Sequence, residues 1–460
     1  MTMPFLDPAA LHRPVYQSLA DQIARAIADG HLANGVKLPP HRILAHDLGI
    51  SVQTVSRAYE ELIRRGLVSG ETGRGSFVRR QEPAGDVPYL QERPGEIVDL
   101  SILKPVCETM HLDRMKAVLA EMATDLPASA ALSFRPNVIF PGHRIVAAEW
   151  LRHCGLSVSP GNVVLTNGAT AGMTVAMMSA ASTGTVIATE AVGHHTLVPL
   201  ASYLGLKMAG VTIDAEGMLP EALAVLCRQE DVRAVFLQPS PINPSATMMG
   251  LERREALIAV ARTNGLTIIE NDPLGPLIED RPPPIAALAP ERTLYVTSFT
   301  KSVLPGLRTG YLVAPDRLMP AVANRHLVSH WIATPLLAEI ASRWVRDGTA
   351  MELVRWQRAT LKKRQAIVGN MLEGIPHAAH PQGLHVWLPL GSRTEEEVFV
   401  AQARLRGVAL APGRSFQIGR EEHPAVRIAV GASSESELRS GLRIVASLVH
   451  AAPEPLLLAI

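Results

Sequence analysis

Five short stretches of this 460-residue chain carry side chains whose types and spacing could do chemistry together. In "SFTKSVLPGLRTGY" one lysine, Lys301, follows an apolar run, with Ser298 just before it and Arg308 further on. An amine emerging from a buried strand is costly while charged, unless it is neutralised or built into an imine. Left neutral, it is a nucleophile. The hydroxyl and guanidinium that flank it suit a phosphate. In "NGATAG" a Gly-containing turn opens a helix, and the backbone amides of Ala169 and Thr170 would point at an anion. "PINPSA" holds Asn243 between prolines, either as a donor to an oxygen in a cleft or as a plain Asx turn. "IIENDPLG" puts Asn271 and Asp272 at a strand end, where one could meet a ring nitrogen or cap the next turn. Late in the chain, "HPAVRIAVGA" sets Arg427 among apolar residues, to be justified by a bidentate carboxylate ligand or by an internal salt bridge.

The elements that must position these residues are legible. "GNVVLTNG", "TVIATE", "AVFLQPS", "LTIIEND" and "TLYVTS" are short apolar runs that alternate with helical stretches. That alternation predicts a mostly parallel sheet with helices on both faces, its functional residues gathered at the carboxyl ends of the strands. From about residue 330 a long helical stretch precedes two short strands, "GLHVWLPL" and "AVRIAVGA", which predicts a smaller α+β lobe. The body is expected over 99–452, with a large lobe at about 140–325 and a small lobe at about 330–452.

The first part of the chain has a different character. "PVYQSLADQIARAIADGHL" spaces Leu19, Ile23 and Ile27 as a helical stripe, and "PPHRILAHDLGI" reads as a short helix ended by Gly49. Ser51 then caps "SVQTVSRAYEELIRRGLV", in which Val52, Val55, Tyr59 and Leu62 are expected to form one apolar face. "GLVSGETGRGSFV" predicts two strands around a Gly-rich turn. A short helix, a tight turn and a second capped helix make a helix-turn-helix pattern over 12–80. Its DNA-facing candidates are Arg42, Ser51, Gln53, Thr54, Ser56 and Arg57, with Arg74 at the wing tip. A polar, Pro- and Gly-containing linker is expected at 81–98.

Net charge is +1, but it is unevenly spread: His12 to Arg80 holds ten Lys/Arg against six Asp/Glu, a surplus of four that the remainder offsets by three. A basic module on a mildly acidic body implies a polyanion partner for the module alone. Hydrophobic residues make up 47% and charged residues 19%, which excludes a disordered or fibrous chain. Cys107, Cys154 and Cys227 are scattered, so a reducing cytoplasm is expected, with neither a disulfide framework nor a metal site. Neither a signal peptide nor a membrane span is expected.

Two resemblances gather these observations. "KLPPHRILAHDLGISVQTVSRAYEELIRRGLVSGETGRGSFV" resembles the winged-helix domain of GntR-family transcriptional regulators, although Val52 stands where relatives usually carry an arginine that contacts DNA. The order Gly-turn, Asn, acidic pair, Ser-x-x-Lys, Arg and distant Arg resembles the fold-type I, class I/II aminotransferases, which bind pyridoxal 5'-phosphate (PLP). Joined, the two are similar to the MocR subfamily. The resemblance implies that Lys301 forms the internal aldimine, that Ser298, Arg308, Ala169 and Thr170 hold the phosphate, and that Asn243 meets the ring hydroxyl. It implies Arg427 as receiver of an amino-acid carboxylate.

Three positions depart from the family around the ring. Its aspartate for the pyridine nitrogen falls on Asn271, with Asp272 one residue later; its tyrosine falls on Leu274; its stacking aromatic falls on His194. An asparagine cannot keep the ring nitrogen protonated, and that charge is what makes PLP an electron sink. The expectation is therefore a homodimeric regulator that binds operator DNA and senses PLP or an amino compound. Its alternatives are an active aminotransferase and a regulator whose body is only a dimerisation scaffold.

Overall fold

A computed structural model describes residues 3, 5–29, 31–32, 35–64, 67–71, 75–78, 97–132 and 141–450. The chain divides into two units, Met1–Glu92 and Arg93–Ile460.

In the first unit α1 (Val15–Ala28), α2 (His41–Leu48) and α3 (Val52–Arg64) precede an antiparallel pair, β1 (Val68–Glu71) and β2 (Gly75–Val78). Gly49 ends α2 at φ +65, a backbone conformation that favours glycine. Ser51 Oγ accepts from the Thr54 amide at 3.0 Å, as its place before α3 requires. Leu19 and Ile23 of α1 and Val55, Ala58, Tyr59 and Leu62 of α3 share one core. Val52 departs from the expected apolar face: it is 45% exposed. As first residue of α3 it lies before the stripe that begins at Val55, and no described element covers it. The wing tip, and Arg74 with it, lies outside the described residues.

The second unit is built on a seven-stranded sheet in the order β4-β12-β11-β10-β9-β5-β6. Its strands are β4 (Val163–Thr166), β5 (Val186–Glu190), β6 (Lys207–Val211), β9 (Val232–Leu237), β10 (Thr267–Asn271), β11 (Thr293–Ser298) and β12 (Gly310–Val313). Between β6 and β9 lies a small ribbon, β7 (Ile213–Asp214) with β8 (Gly217–Met218). β12 alone runs antiparallel to its neighbours β11 and β4. The central strands are apolar on both faces because both are covered. Ile187, Phe236, Ile269, Leu294 and Val296 pack with Met173 and Ala176 of the Gly168–Ala180 helix. Val186, Val235, Leu237 and Ile268 pack on the opposite side with Leu257 and Ile258.

A four-stranded sheet, β13 (Ala378–Ala379), β14 (His385–Pro389), β17 (Ala425–Ala429) and β16 (Ala411–Pro412), forms the smaller lobe. This lobe is not purely C-terminal. Leu100, Leu103 and Val106 are buried in its core, and β3 (Val98–Asp99) pairs in parallel with β15 (Val408–Ala409). Val98 thus belongs to a strand rather than to the end of a linker, because the stretch Val98–Asp99 pairs with a chain segment far along the sequence. The remainder of the expected linker lies outside the described residues, Ile97 apart. No described helix is long and apolar enough to cross a membrane.

Candidate functional site

The site is assembled where β4, β9, β10 and β11 end. The Gly168–Ala180 helix starts directly after β4, so its first amides, including those of Ala169 and Thr170, lack intrahelical partners. Gly168 has φ +82, and a Cβ there would lie 3.0 Å from the Arg308 guanidinium. The turn must therefore be glycine, and Arg308 lies against the helix start. Arg308 itself adopts φ +43, a left-handed position that costs a non-glycine residue about 1–2 kcal/mol. Ser298 Oγ, at the end of β11, and Thr300 Oγ1, two residues on, are buried without a hydrogen-bond partner. Two hydroxyls, a guanidinium and a helix N-terminus make a cradle for a phosphate.

Lys301 stands beside this cradle. Its Nζ donates to the Leu103 carbonyl. Burial, with the charges of Arg427 and Arg308, brings its pKa down to about 8. About a tenth of the amine is thus uncharged at pH 7, far more than for an ordinary lysine, and the uncharged form is the nucleophile for a carbonyl carbon. Capture of an aldehyde should accelerate about tenfold per pH unit between pH 6 and 7 and level off above pH 8. Stopped-flow absorbance with PLP would read this. Acceleration that continued to pH 10 would mean an ordinary lysine.

Asn243 and Arg427 come together, although 184 residues separate them: Arg427 Nη1 donates to Asn243 Oδ1 at 2.8 Å. That leaves the amide NH2 of Asn243 as a donor. Arg254 holds the loop that carries Asn243, donating to the carbonyls of Pro239 (3.1 Å), Met249 (3.0 Å) and Pro283 (2.9 Å). Arg427 also donates to the Ser101 carbonyl at 2.6 Å and lies 4.7 Å over the Phe416 ring. Burial brings its pKa to about 10, and its Nε is buried without a partner. The arrangement suits an incoming carboxylate.

His194 stacks on His195 at 4.7 Å and bonds Thr196 Oγ1 through Nδ1. Burial, His195, Lys301 and Arg427 all press its pKa well below the usual range. His195 falls to about 4 and His385 to about 3, each mainly through burial. All three rings are therefore uncharged at neutral pH. Leu274 is buried in the core of the smaller lobe.

Asn271 is 3% exposed, and its Oδ1 has no partner. Asp272 is engaged elsewhere: its Oδ2 accepts from Arg281 Nη1 at 2.5 Å and from the Tyr295 hydroxyl at 2.7 Å.

Sequence reasoning missed several participants. Thr300 was visible as a hydroxyl beside the lysine. His195 adjoins His194. Phe416, His385 and the carbonyls of Ser101 and Leu103 gave no local signal, because tertiary contact alone brings them to the site.

In the first unit Arg42, Ser51 and Gln53 are exposed, and Thr54 and Ser56 are partly covered. Ser56 Oγ donates to Glu60, and Ser51 and Thr54 bond each other at 2.8 Å. The exposed Arg57 has its guanidinium 4.1 Å over the Tyr16 ring, which holds it in place. Arg57→Ala should weaken DNA binding and lower the slope of log affinity against log salt by about one. Gel-shift titrations at several salt concentrations would check it; unchanged affinity would mean that Arg57 serves Tyr16 alone.

Comparison with known proteins agrees with both halves. The family pattern described as "Aminotransferase class I and II" matches residues 114–445, and "Bacterial regulatory proteins, gntR family" matches residues 15–78. The chain is similar along nearly its whole length to the HTH-type transcriptional regulator YdeF of Bacillus subtilis, at 25% identity over 97% of this chain and 96% of that protein. It is 26% identical to the HTH-type pyridoxine biosynthesis transcriptional regulator PdxR of Corynebacterium glutamicum, over 80% of this chain and 82% of PdxR. Among solved structures, the kynurenine aminotransferase of Pyrococcus horikoshii superposes with a TM-score of 0.71 at 21% identity, covering 77% of this chain and 91% of that enzyme. That likeness shows the fold. The chain belongs to the class I and II aminotransferase family and, with a gntR-family module ahead of that body, has the MocR architecture of transcriptional regulators.

Proposed function

We propose that the body holds PLP through Lys301 and senses PLP or an amino compound on behalf of the winged helix, which binds operator DNA as part of a homodimer. The observation that carries this reading is a half-buried lysine whose desolvated amine has its pKa at about 8, close to unpartnered hydroxyls and a guanidinium at a helix start. Two relatives favour the same ligand class: PdxR is named for pyridoxine biosynthesis, and the Pyrococcus enzyme was solved with PMP. The homodimer follows from the paired half-sites that helix-turn-helix modules read.

When bound, PLP supplies an aldehyde and an electron-withdrawing ring. Ser298, Thr300, Arg308 and the amides of Ala169 and Thr170 would hold its phosphate, and Asn243 its ring oxygen. His194 would supply an uncharged ring against one face of the cofactor. Lys301 contributes the amine, and Arg427 remains for the carboxylate of an amino compound.

The two donors that a ligand needs are the two that grip residues 101–103: Lys301 on the Leu103 carbonyl and Arg427 on the Ser101 carbonyl. These residues follow the linker closely in sequence. A ligand that takes both donors therefore loosens the chain where it leads from the DNA-binding unit into the body. Hydrogen exchange at the amides of 101–104 should accelerate when PLP and then an amino acid are added. The function is tested by titrating the protein onto operator DNA with and without PLP. A visible cofactor band with unchanged DNA affinity would overturn sensing and leave a scaffold. The intact Lys301 and the Asn243–Arg427 pair also favour an active aminotransferase, which steady conversion of an amino acid and a 2-oxo acid would reveal.

A further inference from the structure

Resting on that reading of the site, we infer that Asn271 is the residue this chain sets against the ring nitrogen of PLP, and that Asp272 is a structural carboxylate turned to the opposite face of the sheet. The ring nitrogen is then left unprotonated, and the site holds its ligand without making it an electron sink.

The alternation of strand side chains carries the assignment. On β10, Ile269 packs in the layer of the Gly168–Ala180 helix, and Asn271, two residues on, shares its face. On β11, Leu294 and Val296 pack in that same layer, and Ser298, two residues on, shares theirs. Asn271 and Ser298 therefore look to the side of the sheet where that helix begins and Arg308 lies. Both carry a buried polar oxygen without a partner, as Asp272 Oδ1 also does, so it is the direction in which each residue faces that separates them.

The other parity is occupied. Glu270 faces away and accepts from the amides of Ile285 (3.0 Å) and Ala286 (2.8 Å). Asp272 follows it. Tyr295 lies in a core with Trp150, Phe299 and Tyr311, and its hydroxyl donates to Asp272. Arg281 bridges Asp272 and the Cys154 carbonyl, the latter at 2.6 Å. The Asp272 side chain has no exposure at all, and Arg281 only 7%. Gly275 completes the arrangement, since a Cβ there would collide with Arg281 Nη1 and both Asp272 carboxylate oxygens. Turning Asp272 to the ring would break this buried pair and leave Arg281 uncompensated.

An amide carries no charge and cannot stabilise a pyridinium as a carboxylate does. The cationic groups of the site are Arg308 and Arg427, Lys301 being the amine that joins the cofactor, and His194, His195 and His385 are held neutral. A proton on the ring would meet repulsion from the two guanidinium groups. The Asp272 charge is answered by Arg281.

The test is nitrogen-15 NMR of the full-length protein loaded with PLP labelled at the ring nitrogen. The wild type is expected to show an unprotonated pyridine signal that does not move between pH 6 and 9. Asn271→Asp is expected to shift it into the protonated range, and Asp272→Asn to leave it in place while lowering the melting temperature. A protonated signal in the wild type, or movement only in Asp272→Asn, overturns the inference while the label is still bound. Failure to retain the label overturns the proposed function and this inference with it. If Asp272→Asn does not fold, the wild type and Asn271→Asp decide the matter.

Discussion

Lys301→Ala should lose completely the visible absorption that appears when the wild type is mixed with PLP and the excess removed. Lys301 is a buried amine with its pKa at about 8, and it lies within the cluster of unpartnered polar atoms. Alanine removes the nucleophile and leaves Ser298, Thr300, Arg308 and the helix start in place. Phosphate-dependent retention of PLP should persist weakly and disappear on dialysis, because the covalent hold is gone. The fold should be retained, since the substitution removes a desolvated group whose charged form burial disfavours. Size-exclusion chromatography would check this, and a changed elution would make Lys301 structural instead. A colourless wild type would empty the cofactor reading and leave the winged helix as the functional half.

Arg281→Ala should give the largest loss of stability, about 3–5 kcal/mol, read by urea unfolding of the body. The magnitude comes from what remains: Asp272 would be left buried with the Tyr295 hydroxyl as its side-chain hydrogen-bond donor and the charge of Arg254 acting without a hydrogen bond to it. The Tyr295 hydroxyl is held well above its usual pKa by burial and the Asp272 charge, so it stays a donor and cannot neutralise the carboxylate. The Cys154 carbonyl would lose its donor as well. Combining Arg281→Met with Asp272→Asn should recover most of the loss, because removing both charges removes the desolvation cost of each. A loss below about 1 kcal/mol in the single variant would place the pair among surface salt bridges and contradict its burial.

Much of this molecule can be read along the chain. The winged helix declares itself through the stripe of α1, the left-handed Gly49 and the Ser51 cap, which are local devices acting over three or four residues. The parallel sheet declares itself through apolar runs long enough to be buried on both faces. Lys301, Ser298 and Arg308 lie within eleven residues of one another, and one strand end with its following turn presents them together. Val52 marks the limit of such patterns. Helical period alone places it with Val55 and Tyr59, but a position in the first turn is buried only if another element reaches over it, and among the described residues none does.

By itself, then, the sequence determined the two domain types, the strand ends where chemistry gathers, and the lysine at their centre, since each depends on periodicity, capping or adjacency. The tertiary structure decided the pairing of Arg427 with Asn243, the carbonyls of Ser101 and Leu103 that occupy the site's two donors, and the Phe416 ring beneath the guanidinium. It also sets Asn271 apart from Asp272. Both residues are polar, adjacent and at the end of one strand. What separates them is Arg281, which reaches Asp272 on one side and the Cys154 carbonyl, 127 residues away in sequence, on the other. Contacts over such separations leave no period in the chain, because they arise only when distant elements pack against one another.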